Sequence, residues 1–318
     1  MPDDAAAIEV RHLTKTFGAV RAVDDLNFTV RPGRVTGFLG PNGAGKTTTL
    51  RMLLGLVRPT SGTATITGRA YQELDHPLRT VGAALEASDF HPGRTALDHL
   101  RVYTPHAGVP DSRAQQVLDL VGLGDVARRR VGGFSLGMRQ RLGLATTLLG
   151  DPPVLLLDEP ANGLDPGGIR WLRDLLRALA AEGRTVLVSS HLLSEVQQTV
   201  DDVVIIAGGR LVHASTLADL SLLAEPVVRV ASPDAAGLVA LVQRAGWRAA
   251  EAGDAAGPGT SRPRVVELTG TGTAEVGRAA HAAGLELHEL SAHGVTLEDL
   301  FLRLTSTPGA ARTEGDAR

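Results

Sequence analysis

The chain has 318 residues, room for one large domain and a smaller one, and its formal net charge of −3 provides no global basic field to draw it to nucleic acid. It contains no cysteine, which excludes disulfides, thiolate zinc sites and thiol nucleophiles and fits a reducing cytoplasm. No apolar run reaches the roughly 18–20 residues that span a bilayer, and the acidic start Met1-Pro2-Asp3-Asp4 lacks a secretory pattern, so a role at a membrane has to come through a partner.

Taken in chain order, residues 8–14 alternate and predict an edge strand, and 26–30 predict another. An apolar strand over 35–39 runs into a glycine-rich turn and a helix-like stretch at 48–54. Residues 63–67 read as a Thr-rich strand and 81–85 as an apolar one. The segment 95–150 has helical apolar spacing, broken at Pro105, Pro110, Gly122 and Gly132-Gly133. Two near-continuous apolar runs follow, 154–157 and 185–188, separated by an amphipathic helix over 167–181. Such runs suit strands buried on both faces of a parallel sheet, and the strand–helix–strand alternation predicts an α/β domain. A strand at 203–207 turns at Gly208-Gly209 into 210–212.

Beyond about residue 222 the texture changes. Strands at 226–230, 264–269 and 285–290 and helices at 235–244, 274–283 and 297–304 predict a small α+β domain over 223–306. The Gly/Pro-rich stretch 252–263 reads as a loop and 307–318 as a disordered tail. The first domain then covers 1–222, with a helical subdomain at about 88–150.

The glycine-rich turn carries the chemistry. Gly40-Pro41-Asn42-Gly43-Ala44-Gly45-Lys46-Thr47 fits G-x-x-x-x-G-K-[ST], between a strand and a helix as that motif requires. Its glycines let backbone N–H groups turn inward around phosphate oxygens, and the helix that follows adds its positive end. Lys46 supplies a point charge for the β- and γ-phosphates, and the Thr47 hydroxyl suits Mg²⁺. Lys46 stands out further because the chain's only other lysine is Lys15.

A phosphate loop needs a carboxylate partner. The strand at 154–157 ends in Asp158 and Glu159: Asp158 is placed to serve Mg²⁺, and Glu159 to orient or deprotonate an attacking water. Alone, two acids at a strand exit are an ordinary solvated end; together with the phosphate loop they form a constellation. Upstream, Phe134-Ser135-Leu136-Gly137-Met138 opens an apolar helix. Ser135 suits its N-cap, and such a helix start also suits phosphate.

In this order the motifs resemble the nucleotide-binding subunit of ATP-binding cassette (ABC) transporters. The resemblance covers residues 8 to about 220 and implies a P-loop NTPase of ABC type with a helical subdomain. Residues 134–138 are similar to the family signature, commonly Leu-Ser-Gly-Gly-Gln, with Ser135 and Gly137 kept. The resemblance further implies that Phe17 stacks on adenine, and that Gly43, Ala44, Gly45 and Thr48 complete the phosphate cradle begun by Gly40 and Asn42. It implies that Asp165, in Asn162-Gly163-Leu164-Asp165, belongs to a loop crossing a dimer interface, and that His191 contacts the γ-phosphate. The family's usual Gln after the strand at 81–85 is here Glu86, still able to ligate Mg²⁺. That change, the Ser-Leu-Gly-Met signature and the C-terminal Thr296-Leu297-Glu298-Asp299-Leu300-Phe301 are similar to the drug and antibiotic exporter branch.

The activity so implied is ATP hydrolysis with Mg²⁺, using Lys46, Glu159 and His191. The partners are a second copy, joined on ATP binding, and a separate transmembrane permease at the cytoplasmic face of the membrane; nucleic acid is not among them. The competing reading is a soluble ABC ATPase acting on ribosomes or nucleic acid. The single cassette, the acidic balance and the lack of room for long insertions stand against it.

Overall fold

The computed structural model describes residues 7–85, 90–223, 226–251, 264–294 and 297–306. Its elements begin with β1 (Ile8–Phe17), β2 (Val20–Val30), β3 (Val35–Leu39), α1 (Lys46–Leu53), β4 (Ser61–Ile66), α2 (Pro77–Thr80) and β5 (Val81–Ala84). Next come α3 (Ala96–Arg101), α4 (Thr104–Ala107), α5 (Ser112–Leu120), α6 (Leu136–Leu148), β6 (Val154–Leu157), α7 (Pro166–Ala181), β7 (Thr185–Ser190) and α8 (Leu193–Val196). The chain continues through β8 (Asp202–Ala207), β9 (Arg210–Thr216), α9 (Leu217–Leu222), β10 (Pro226–Ser232), α10 (Ala235–Ala245) and β11 (Arg248–Glu251). It closes with β12 (Arg264–Thr269), α11 (Thr273–Ala282), β13 (Glu289–Gly294) and α12 (Leu297–Thr305). Two units emerge from its internal packing: the chain up to Ala218 together with the part from Phe301 on, and Asp219–Leu300.

The first unit holds a six-stranded sheet in the order β5-β6-β7-β3-β8-β9, parallel except for β9. Every residue of β3, β6 and β7 is buried, which explains why these strands read as unbroken apolar runs: layers cover both faces. Register sets Leu39 opposite Ser190 and Leu157 opposite Val188. The carboxyl ends of β3, β7 and β6 therefore lie side by side, where open parallel sheets bind ligands. A three-stranded antiparallel sheet, β2-β1-β4, packs nearby, and pairing on both sides makes β1 its middle strand, not the edge strand expected of residues 8–14. Its Phe28 ring stacks on Phe38 of β3 at 5.2 Å. Leu50 and Leu53 anchor α1 in the same core, fully buried, each worth about 1.5–3 kcal/mol relative to exposure.

Helices α3 to α6 form the expected helical segment. Thr95 caps α3, its hydroxyl accepting from the Asp98 N–H at 3.1 Å. Gly108 (φ 62°) ends α4 in the left-handed region, a conformation other residues adopt at a cost. The Arg141 guanidinium of α6 lies 4.2 Å from the Trp171 ring centroid of α7, a cation–π contact that ties the helical segment to the sheet layer.

His99 of α3 is 5% exposed, with its ring edge-on between Phe90 (4.9 Å) and Tyr103 (5.3 Å). Burial, helped by the Arg94 charge, pushes its pKa below the ordinary 6.5. The unfolded chain then binds a proton that the folded chain refuses, so stability is full above about pH 6.5 and is lost as pH falls toward the depressed folded value. Denaturant titrations at pH 5.5 and 7.5 should show this loss in the native sequence and a smaller one in His99→Gln.

The second unit runs β10-α10-β11-β12-α11-β13, with its sheet ordered β11-β12-β10-β13 and every pairing antiparallel. This is the β-α-β-β-α-β arrangement of ferredoxin-like folds. Val228, Val230, Val266 and Leu268 meet Leu238, Val242 and Val276 of the helices, with Trp247 packed against them.

The structure corrects one expectation here and adds one strand. The strand expected at 285–290 begins instead at Glu289. Gly284 (φ 66°) ends α11, and the N–H groups of Gly284 and Leu285 bond back to His281 and Ala280 carbonyls, a Schellman cap. Leu285 and Leu287 alternate like strand residues yet pack from the cap and loop onto the core. Strand β11 carries no strand signal because Arg-Ala-Ala-Glu contains no β-branched or aromatic residue; pairing with β12 imposes its form. The expected loop at 252–263, the tail at 307–318 and Glu86 lie outside the described residues.

Candidate active site

The site is built where β3, β7 and β6 end. After Leu39 the loop tightens through Gly43 (φ 78°) and Gly45 (φ 101°). A Cβ on Gly45 would sit 2.5 Å from the Ala22 carbonyl oxygen, and one on Gly40 would overlap the Ile206 carbonyl. Only glycine lets the backbone pass so close at these positions. Gly45 also starts α1 without any side-chain cap, so the first N–H groups of the helix stay available for an anion. Ala44 is buried, Asn42 is exposed on the loop, and Thr48 sits half-buried in the first turn of α1.

Lys46 is only 6% exposed. Its Nζ donates to the Gly40 carbonyl at 2.7 Å and the Pro41 carbonyl at 3.3 Å, and lies 3.4 Å from Glu159 Oε1. The loop thus wraps its own lysine, fixing a cation at the mouth of the glycine turn. Thr47 Oγ1 donates to Asp158 Oδ2 at 2.7 Å, bringing a hydroxyl and a carboxylate together from residues far apart in sequence. Such a pair of hard oxygen donors fits Mg²⁺ chemistry. The Ser189 hydroxyl of β7 donates to the other Asp158 oxygen and accepts from the Glu159 N–H at 2.9 Å.

Glu159 has φ 48°, the left-handed region that non-glycine residues enter at a cost. Its Oε2 is held at 2.6 Å by His191 Nδ1 and accepts from Asn162 Nδ2 at 2.9 Å. His191 itself is brought up by the turn after β7, where the Gly40 N–H donates to the Ser190 carbonyl at 3.3 Å. Through Ser189 and the Lys46–Glu159 ion pair, Lys46, Thr47, Asp158, Glu159 and His191 therefore form one cluster containing a cation, two carboxylates and an imidazole. That assembly suits binding a polyphosphate and directing water at it.

The other residues singled out by their motifs sit elsewhere in the unit. Phe17 is 49% exposed, with Lys15 Nζ 4.8 Å from its ring centroid. Ser135 is exposed and caps α6, its hydroxyl accepting from the Met138 N–H at 3.3 Å. Ser135 and Gly137 line a surface cleft with Leu123, Leu164 and Asp165, in which no phosphate-loop residue takes part. Asp165 caps α7 by accepting from the Gly168 N–H at 2.7 Å. The sequence alone assigns no role to Asn162 or Ser189. Asn162 opens the loop motif that ends in Asp165 and Ser189 lies two residues before His191, and that placement is the only signal either offers.

The sequence model described as ABC transporter matches residues 23–162, and a domain of unknown function, DUF8746, matches 226–298. The bacitracin transport ATP-binding protein BcrA of Bacillus licheniformis is 47% identical over 209 residues, 65% of this chain and 68% of that protein. The chain belongs to the ABC transporter ATP-binding family. An uncharacterized ABC transporter ATP-binding protein of Bacillus subtilis (strain 168), YdbJ, is 34% identical over 97% of both chains, so similarity to it extends through the second unit. A solved ATP-binding subunit of an ABC transporter superposes with a TM-score of 0.62 at 28% identity, covering 68% of this chain and 92% of the other. The first unit is thus an ABC ATPase of the P-loop NTPase fold, and the protein is an ATP-hydrolysing subunit of a transporter.

Proposed function

We propose that two copies of this ABC subunit close on ATP and drive export of a drug or antibiotic through a separate membrane permease. The observation that carries the pairing is the separation of Ser135 and Gly137 from the phosphate loop within one chain. Two phosphate-binding half-sites on one unit fit a composite site completed by a second copy. Lys46 and the N–H groups of Gly43 and Gly45 hold the phosphates, with Gly40, Asn42, Ala44 and Thr48 shaping the cradle, and Phe17 offers its exposed face to adenine. Thr47 and Asp158 would hold Mg²⁺, which as a Lewis acid neutralises phosphate charge. Glu159 draws the proton from the attacking water, and His191 contacts the γ-phosphate. Glu86, as a further Mg²⁺ ligand, and Asp165, as a residue of the paired face, complete the set.

Export of a drug or antibiotic is supported by the bacitracin-transport relative and by the signature at Ser135 to Met138. No helix among the described residues is long and apolar enough to cross a membrane, in keeping with a peripheral subunit held at the cytoplasmic face by its permease. Tagged Glu159→Gln protein with Mg-ATP, recovered from detergent-solubilised host membranes, should bring down a multi-helix membrane protein. Recovery of ribosomes or nucleic acid instead would overturn the transporter partnership.

A further inference from the structure

Glu159 sits in a costly backbone conformation, and its carboxylate has two protein partners at a single oxygen. His191 is one; the other is Asn162, three residues along on the loop that leads into α7. With Oε2 taken by both, Oε1 is the oxygen left on the Lys46 side, 3.4 Å from Nζ. The carboxylate is thereby fixed in rotation: the hydrogen bonds from His191 and Asn162 together set its plane and aim the remaining oxygen toward the phosphate loop. An amide is suited to this, since it donates to the carboxylate without adding charge.

The loop bearing Asn162 is in turn held by a contact from the signature. Gly163 has φ 77°, and a Cβ there would overlap the Leu136 side chain, so Leu136 lies directly over the Gly163 backbone. Leu136 is the position at which this chain departs from the glycine of the commonest signature. A glycine there would leave the loop without this cover. We propose that Asn162 is a positioning residue for the Glu159 carboxylate, and that Leu136, packed on Gly163, keeps Asn162 in place. The inference rests on the reading of Glu159 as the catalytic base.

Steady-state ATPase assays of the full chain, with and without substitution, test it. Asn162→Asp has the shape of asparagine but cannot donate, and it places a second carboxylate beside Glu159. Asn162→Asp and Asn162→Ala should each lower kcat by about tenfold or more, the scale of one hydrogen bond to a charged group, with KM for ATP within about twofold of native. Asn162→Ser, which keeps a donor, should recover part of the rate. Leu136→Ala should lower kcat several-fold, and adding it to Asn162→Ala should cost almost nothing more, because both act through one link. Full activity in Asn162→Asp would overturn the assignment, since packing alone would then account for the residue. Additive losses in the double variant would remove Leu136 from the proposal. If the native chain fails to hydrolyse ATP, or Glu159→Gln retains the native rate, it is the reading of Glu159 that fails.

Discussion

Glu159→Gln should nearly abolish turnover while leaving ATP bound, with hydrolysis reduced about 10²–10⁴-fold, the range expected for loss of a positioned base. Gln keeps the length of the side chain and an oxygen able to accept from Asn162, so the left-handed backbone at this position has no added reason to move. What disappears is the basic oxygen and the negative charge beside Lys46. ATP then accumulates in the site instead of being consumed, and a site shared between two chains becomes a stable bridge. Single-turnover hydrolysis reads the first effect; light scattering on a sizing column in Mg-ATP reads the second. A variant shown to hold ATP yet eluting as a monomer would sink the paired-chain mechanism.

The complementary substitution, Lys46→Ala, should act on binding itself. Nζ is the cation that the loop has wrapped with the Gly40 and Pro41 carbonyls and placed at the glycine turn. In a buried setting the attraction between an ammonium and phosphate oxygens is screened far less than in water. Removing it should weaken ATP by roughly 10–100-fold, the size of one hydrogen bond to a charged group or somewhat more, and should remove hydrolysis with it. Titration with a fluorescent ATP analogue separates the two variants: Glu159→Gln binds tightly and Lys46→Ala does not. Tight binding by Lys46→Ala would mean that the backbone N–H groups alone carry the phosphates.

Much of the first unit is legible in the sequence because its signals are contiguous. The phosphate loop, its strand and its helix occupy neighbouring residues, and β3, β6 and β7 announce themselves as unbroken apolar runs. The pairing of Lys46, Thr47, Asp158 and Glu159 is readable because each belongs to a motif with known chemistry. The link through Ser189 is not, because its contacts join residues some thirty positions apart and depend on β6 lying beside β7. Asn162 is silent for a related reason: its partner is fixed by the turn at Glu159, whose left-handed backbone no composition rule foretells. In the second unit, Leu285 and Leu287 carry the alternation of a strand but serve a helix cap and a core, which shows that an apolar pattern reports burial before it reports backbone conformation.

The contact between Arg141 and Trp171 gives the protein a built-in optical probe. The chain has two tryptophans: Trp171 lies in the first unit under a guanidinium from the signature helix, and Trp247 packs on the core of the second. Single-tryptophan versions, each with the other indole replaced by phenylalanine, would give one emission signal per unit. Melting of the ATPase and of the accessory unit would then be recorded separately, without labels. Because Arg141 also lines the cleft of Ser135 and Gly137, the colour of the Trp171 emission would follow events at that cleft in real time.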